Sequence, residues 1–328
     1  MLCKIRWSTA AFAVLFGMLF VIPQSFAETL PRIDIVVFTP PSLGAFLPPV
    51  IKSQKLDTRN GIDINFVQRT PSAYIALFNS GEFQLGGSAA LLSIATASNR
   101  GVKAVYLFNL FDYFGAVVTD KPDIKTVKDL AGHTLVAAAA TTNFAMFKWL
   151  AQAQGLDLTK LSVQNTATPG LVGYALADRA DAVQLWEPAY SILLAKKPQM
   201  RTLNLNIKNH WQQFAGTTDI PYLGVAAHES WIKQHRMLVP KLYAAYRQAA
   251  EWVTRNPTAA AKLIASTMKN SDVEVLERLI RNNDLLGMNV KPAAAMHKGI
   301  ESVYAAGLQS HFLDKRVDPA TIYVGKLD

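Results

Sequence analysis

The chain is poor in cysteine: its 328 residues hold one, Cys3. That single residue can close no internal disulfide, and beyond the first few positions no thiolate remains to ligate a metal or attack a substrate. Cys3 also precedes the first apolar run, so it is not placed as a lipid-anchored cysteine. Charged residues are sparse, at 17 %, with a net charge of +9. Lys and Arg form no run and no interleaving with aromatics, which argues against a nucleic-acid footprint. No G-x-x-x-x-G-K-[ST] or G-x-G-x-x-G follows a predicted strand, so nucleotide chemistry is not indicated. The six histidines lack ligand spacing. His228-Glu229 opens like H-E-x-x-H, but the next histidine is His235, seven residues on, and no two-histidine helix face forms. No metal and no cofactor is expected, and stability must come from buried cores.

A long apolar run is also missing. The longest, residues 10–22, is short for a span of roughly 20 residues and stands between Lys4 and Arg6 on one side and Ser25-Phe26-Ala27 on the other. This is the pattern of a cleaved export signal over residues 1–27, and it predicts a periplasmic protein. Removal leaves 301 residues with a net charge of +7, enough for two domains.

What the chain does have is alternation. IDIVVF (33–38), IDINFV (62–67), FQLGG (83–87) and VKAVYLF (102–108) read as strands, with helical patterns between them. A second block repeats the scheme from YFGAVVT (113–119) through AVQLWE (182–187) to RTLNLNI (201–207). A last strand, YLGVAA (222–227), is followed only by helical patterns to about residue 308. The expected fold is α/β with two lobes, each a mostly parallel sheet flanked by helices. Residues 28–113 and 222–328 make the first lobe, and 114–221 make a second inserted in it. Two crossovers, near 110–115 and 216–223, join them.

In open parallel sheets ligands bind beyond the carboxyl ends of the strands. The segments expected there are rich in Ser, Thr, Asn and aromatics and hold no Lys or Arg. VAAAATTNFAMFKWL (136–150) passes from a buried strand to a helix through Thr141, Thr142 and Asn143. Either threonine can cap the helix, and the remaining first-turn N–H groups, at the positive end of the helix dipole, suit an anionic or strongly polar group. Ordinary capping needs only one of the three residues. Ser88, after two glycines, is a second candidate; as a hydrolase nucleophile it would need Asp219 and His228, and GGSAA lacks the last glycine of a nucleophile elbow. Phe111, Tyr113, Trp186 and Tyr222 fall at strand ends, where rings can line a cleft or pack in the core.

SAYIALFNSGEFQLGGSAALL (72–92), DIKTVKDLAGHTLVAA (123–138) and ALADRADAVQLWEPAY (175–190), in that order, resemble the periplasmic solute-binding proteins of ABC importers. The branch is that of nitrate, sulfonate and taurine binders, which also includes the thiamine-pyrimidine-precursor binders. The resemblance implies the type II binding-protein fold, hinge closure over a small-molecule ligand, an inner-membrane ABC permease as partner, a monomer, and no enzymatic activity. It carries binding roles onto Ser42, Ser88, Thr141, Thr142 and Trp186. The cleft argument adds Asp112, Asn143, Glu187, Asp219 and Tyr222. The absence of a basic side chain from these loops disfavours a taurine-like ligand, and Glu187 with Asp219 favours an amino-pyrimidine or another flat nitrogenous one. A periplasmic serine hydrolase using Ser88 is the competing class.

Overall fold

A computed structural model describes residues 29–268 and 271–327. The predicted export signal lies outside them, and no described helix is long and apolar enough to cross a membrane. The described strands, in chain order, are β1 (Arg32–Phe38), β2 (Asp63–Arg69), β3 (Leu85–Ala90), β4 (Ala104–Asp112), β5 (Ala116–Thr119), β6 (Thr134–Ala137), β7 (Ser162–Asn165), β8 (Ala182–Leu185), β9 (Arg201–Leu203), β10 (Pro221–His228) and β11 (Met288–Pro292). They form two sheets, ordered β11-β4-β10-β3-β1-β2 and β7-β6-β8-β5-β9, both flanked by helices. The α/β alternation expected from the apolar periodicity is present, broken where β4 passes directly to β5 and β5 reaches β6 through a short 3-10 turn.

β1 pairs in parallel with β2 and β3, and β6 with β7 and β8. The antiparallel members follow from how the chain crosses. β4 ends at the crossing and β5 starts from it, so β5 enters its sheet against the direction of β8. On return, β10 starts beside the end of β4, with Pro221 opposite Asp112 and His228 opposite Ala104, and must run antiparallel to it. The two crossings lie side by side, the Tyr113 N–H donating to the Ile220 carbonyl at 2.7 Å.

Three expectations are corrected. FQLGG (83–87) reads as a strand in the sequence, yet the strand is Leu85–Ala90, which carries Ser88 within it and is buried between β1 and β10 except for the half-buried Ala90. Its glycines serve packing: a Cβ on Gly86 would stand 2.1 Å from the Tyr74 hydroxyl oxygen. Residues 109–112, beyond the strand VKAVYLF (102–108) expected from the sequence, complete β4. The tail beyond β10 is not wholly helical, because the half-buried MNVKP forms the edge strand β11 on β4.

The helix Thr142–Ala153 is shared by both cores. Phe144, Phe147 and Ala151 pack with the second sheet, while Ala145, Met146, Trp149 and Leu150 join the large core of the first. Trp149 Nε1 donates to Gln309 Oε1 at 2.7 Å and Lys148 Nζ to the Ser310 carbonyl at 2.5 Å, fastening this helix to the end of the helix His297–Gln309. Its N-terminus is thereby held between the sheets.

Candidate functional site

Beyond the carboxyl ends of β1, β6 and β8 lies a cavity of about 300 Å³. Ser42, Thr141, Thr142, Asn143, Trp186 and Tyr222 all line it. Thr141 is the N-cap of its helix: its Oγ1 accepts the Phe144 N–H at 3.2 Å and donates to the Ala138 carbonyl at 2.7 Å. A helix cannot satisfy its own first N–H groups, and the two that precede Phe144 belong to cavity-lining residues, Thr142 and Asn143. Both side chains are buried, each 1 % exposed. Asn143 Nδ2 donates to the Tyr222 hydroxyl at 2.6 Å, joining the two sides of the cavity. Thr142 Oγ1 and Asn143 Oδ1 have no partner. Unpaired buried polar atoms cost about 1–3 kcal/mol each, so two neighbours of this kind beside one cavity mark a place where a partner is missing. Ser42 Oγ accepts the Gly44 N–H at 3.2 Å, and Trp186, half-buried, adds a ring to a wall that also includes Phe38, Ile75 and Leu223.

The other four candidates lie elsewhere. Ser88 is 0 % exposed on β3, its Oγ accepting the Phe38 N–H at 2.9 Å, and it borders only a void of about 30 Å³ beside the main cavity. It is not assembled with the proposed hydrolase partners: Asp219 precedes β10, and His228, at the other end of that strand, has Nε2 on the Phe78 carbonyl at 2.7 Å. Glu187 turns away from the cavity and caps the helix Ala189–Lys196. Its carboxylate accepts the Ser191 hydroxyl at 2.8 Å and the Ser191 N–H at 3.2 Å. Burial pushes the Glu187 carboxyl up to about 7, against the pull of those two bonds. Asp219 pairs with Lys291 at 2.8 Å and accepts from Asn289 at 3.0 Å. Asp112 lines a different, larger cavity of about 650 Å³ next to the crossings. The acidic pair expected to meet a ring N–H is therefore absent from the lining. Phe111 is a core residue, edge-on to Phe46.

One lining residue escapes a search of the segments that follow strands. Lys196 ends the helix Ala189–Lys196, exposed at the cavity. Among the described lining residues it is the one Lys or Arg and no Asp or Glu accompanies it, so the cavity's electrostatics favour negative charge.

The model of the family described as NMT1/THI5 like matches residues 58–260, well over half of the chain. No curated protein matches by sequence. Among solved structures, the alkanesulfonate-binding protein SsuA from Xanthomonas axonopodis pv. citri superposes with a TM-score of 0.73 at 17 % identity, over 89 % of this chain and 98 % of that one. The periplasmic aliphatic sulphonate binding protein SsuA from Escherichia coli does so with 0.71 at 18 %, over 90 % and 92 %. A putative periplasmic sulfonate-binding protein from Methylobacillus flagellatus follows with 0.67 at 15 %, over 89 % and 91 %. The fold is that of these two-lobed periplasmic binding proteins.

Proposed function

The chain belongs to the NMT1/THI5-like family, and from that premise we propose that it is the exported, non-enzymatic substrate-binding subunit of an ABC importer. It works in the periplasm as a monomer, holds a small organic anion between its lobes and hands it to an inner-membrane permease. The lobes are residues 28–113 with 222–328, and 114–221. Closure is a hinge motion at the two crossings.

The observation that carries this reading is the unpartnered hydroxyl of Thr142 at a helix N-terminus beside a cavity with no carboxylate among its described lining residues. The Thr142 hydroxyl and the Tyr222 hydroxyl are donors, the helix end is positive, and Lys196 stands at the same cavity, so an anionic head fits there. The apolar wall of Phe38, Ile75, Trp186 and Leu223 suits a hydrocarbon or aromatic body. Sulfonate binding is the property named for several structural relatives, one of them bound to MOPS. A thiamine-pyrimidine precursor or similar flat nitrogenous ring is the second reading. It rests on Asn143 Oδ1 as an acceptor for a ring amine and on Trp186 as a stacking surface.

A thermal-shift panel of nitrate, alkyl and aromatic sulfonates, aromatic carboxylates and amino-pyrimidines separates these readings. A ligand at a hundred times its Kd adds about 2.7 kcal/mol of stability. Shifts with sulfonates that are lost in Trp186→Ala and Thr142→Ala support the anion site. Shifts confined to amino-pyrimidines move the assignment to the second reading, and unchanged affinity in both variants removes the site.

A further inference from the structure

A second buried hydroxyl without a partner among the described residues borders the candidate cavity. It is Ser271 Oγ, in the stretch between the helices Pro257–Ala265 and Val273–Arg281. The residue is half-buried, and its N–H donates to the Met268 carbonyl at 3.3 Å. Its neighbour Asp272 is committed elsewhere, capping the following helix by accepting the Glu274 N–H at 2.8 Å. No carboxylate among the described lining residues is therefore available to take the Ser271 proton.

Ser271 reaches the cavity from the side of the first sheet. Leu276, Leu279 and Ile280, on the helix it precedes, belong to the large core of that sheet. The same helix packs against Ala189–Lys196, whose Tyr190 and Leu193 belong to a core of the second sheet. Ala189, Ile192 and Lys196, at i, i+3 and i+7, share one face of that helix, and all three line the cavity. Ser271 and Lys196 thus stand on opposite sides of the place where the two helices meet, and Thr142, on the helix after β6, is on the Lys196 side.

We propose that Ser271 is a ligand-contacting residue whose hydroxyl donates to the anionic head of the ligand from the side of the first sheet, opposite Thr142, so that the bound ligand ties the two sides together. The inference rests on the cavity being the anion site proposed above. A serine hydroxyl turns between staggered rotamers in one step about χ1, so Oγ can swing from the cavity wall toward its contents. Left without a bond, a buried hydroxyl is unfavourable, and an oxygen of an anionic head supplies the acceptor that the described residues do not. A bond of this kind is charge-assisted and stronger than one to a neutral oxygen, so Ser271 should discriminate between an anion and an alcohol on the same hydrocarbon body. Because Ser271 and Thr142 come from opposite sides, each bond to one ligand also opposes their separation.

The test titrates hexanesulfonate and hexanol into the wild-type protein and Ser271→Ala, and unfolds both proteins in urea without ligand. Ser271→Ala should weaken hexanesulfonate roughly tenfold and hexanol by no more than about threefold. Its ligand-free stability should equal or exceed that of wild type, because the bond it removes exists only with ligand. Wild-type affinity for hexanesulfonate, an equal loss for both ligands, or a destabilised ligand-free variant overturns the proposal. If hexanesulfonate fails to bind wild type, the ligand assignment is at fault and a thiol probe decides Ser271. The chain's one cysteine is Cys3, so Ser271→Cys combined with Cys3→Ser carries a single thiol. It is treated with sulfonatoethyl and trimethylammonioethyl methanethiosulfonate, and each rate is divided by that reagent's rate with free mercaptoethanol. A normalised rate at least about threefold higher for the anionic reagent supports Ser271 as an anion contact. Equal rates, a preference for the cationic reagent, or no reaction with either overturns it.

Discussion

Thr142→Val should stabilise the ligand-free protein and weaken its binding. The substitution keeps the branched shape, and the two residues have similar helix propensity. It removes Oγ1, a buried hydroxyl without a partner. An unsatisfied buried group costs about 1–3 kcal/mol, so its removal should return about 1 kcal/mol after the imperfect fit of the new methyl. For a chain of this size that is a rise of about 2 °C in Tm. A hydrogen bond to a charged acceptor contributes about 1.5–3 kcal/mol, so loss of the hydroxyl should weaken an anionic ligand roughly ten- to a hundredfold. Urea unfolding without ligand and calorimetric titration with it measure the two halves separately. A destabilised variant, or one that binds as tightly as wild type, would refute the reading of Thr142 as a ligand donor held unsatisfied until the site is filled.

Three further outcomes follow from the same geometry. Glu187, with its carboxyl raised from the ordinary 4.5 to about 7 by burial, contributes stability that is complete below the unfolded value and is lost as pH rises through 7. Glu187→Gln does not titrate, so its stability relative to wild type should be about 2.5 kcal/mol more favourable at pH 8 than at pH 5 in urea unfolding; an equal difference at both pH values contradicts this. Lys196→Ala should weaken anionic ligands several-fold at low salt and much less at 0.5 M salt, where charges on the surface are screened; a salt-independent loss would mean the ammonium acts by packing. Ser88→Ala should cost about 1–3 kcal/mol by orphaning the Phe38 N–H, with ligand affinity unchanged in titration; a loss of binding at full stability would return Ser88 to the site.

Much of this architecture was legible because period-2 apolar runs alternate with helical spacing, and because Thr141 to Asn143 interrupt an otherwise unbroken apolar stretch. What the sequence hides is direction. Trp186 and Glu187 are neighbours at the end of β8, yet one faces the cavity and the other caps a helix on Ser191. GGSAA has the composition of a loop, but its small residues let β3 pack under Tyr74. Lys196 is remote from any strand end and reaches the cavity only because its helix lies beside it. β11 is short and has little apolar signal of its own, and pairing with β4 makes it a strand.

The central claim is that the cavity at the Thr142 helix end selects negative charge on an apolar body. Calorimetric titration with three ligands sharing one six-carbon chain, hexanesulfonate, hexanol and hexylamine, tests it most directly. Binding of the sulfonate at one site, with the alcohol at least tenfold weaker and the amine not bound, is the predicted result. Equal affinity for all three, or preference for the amine, would contradict it.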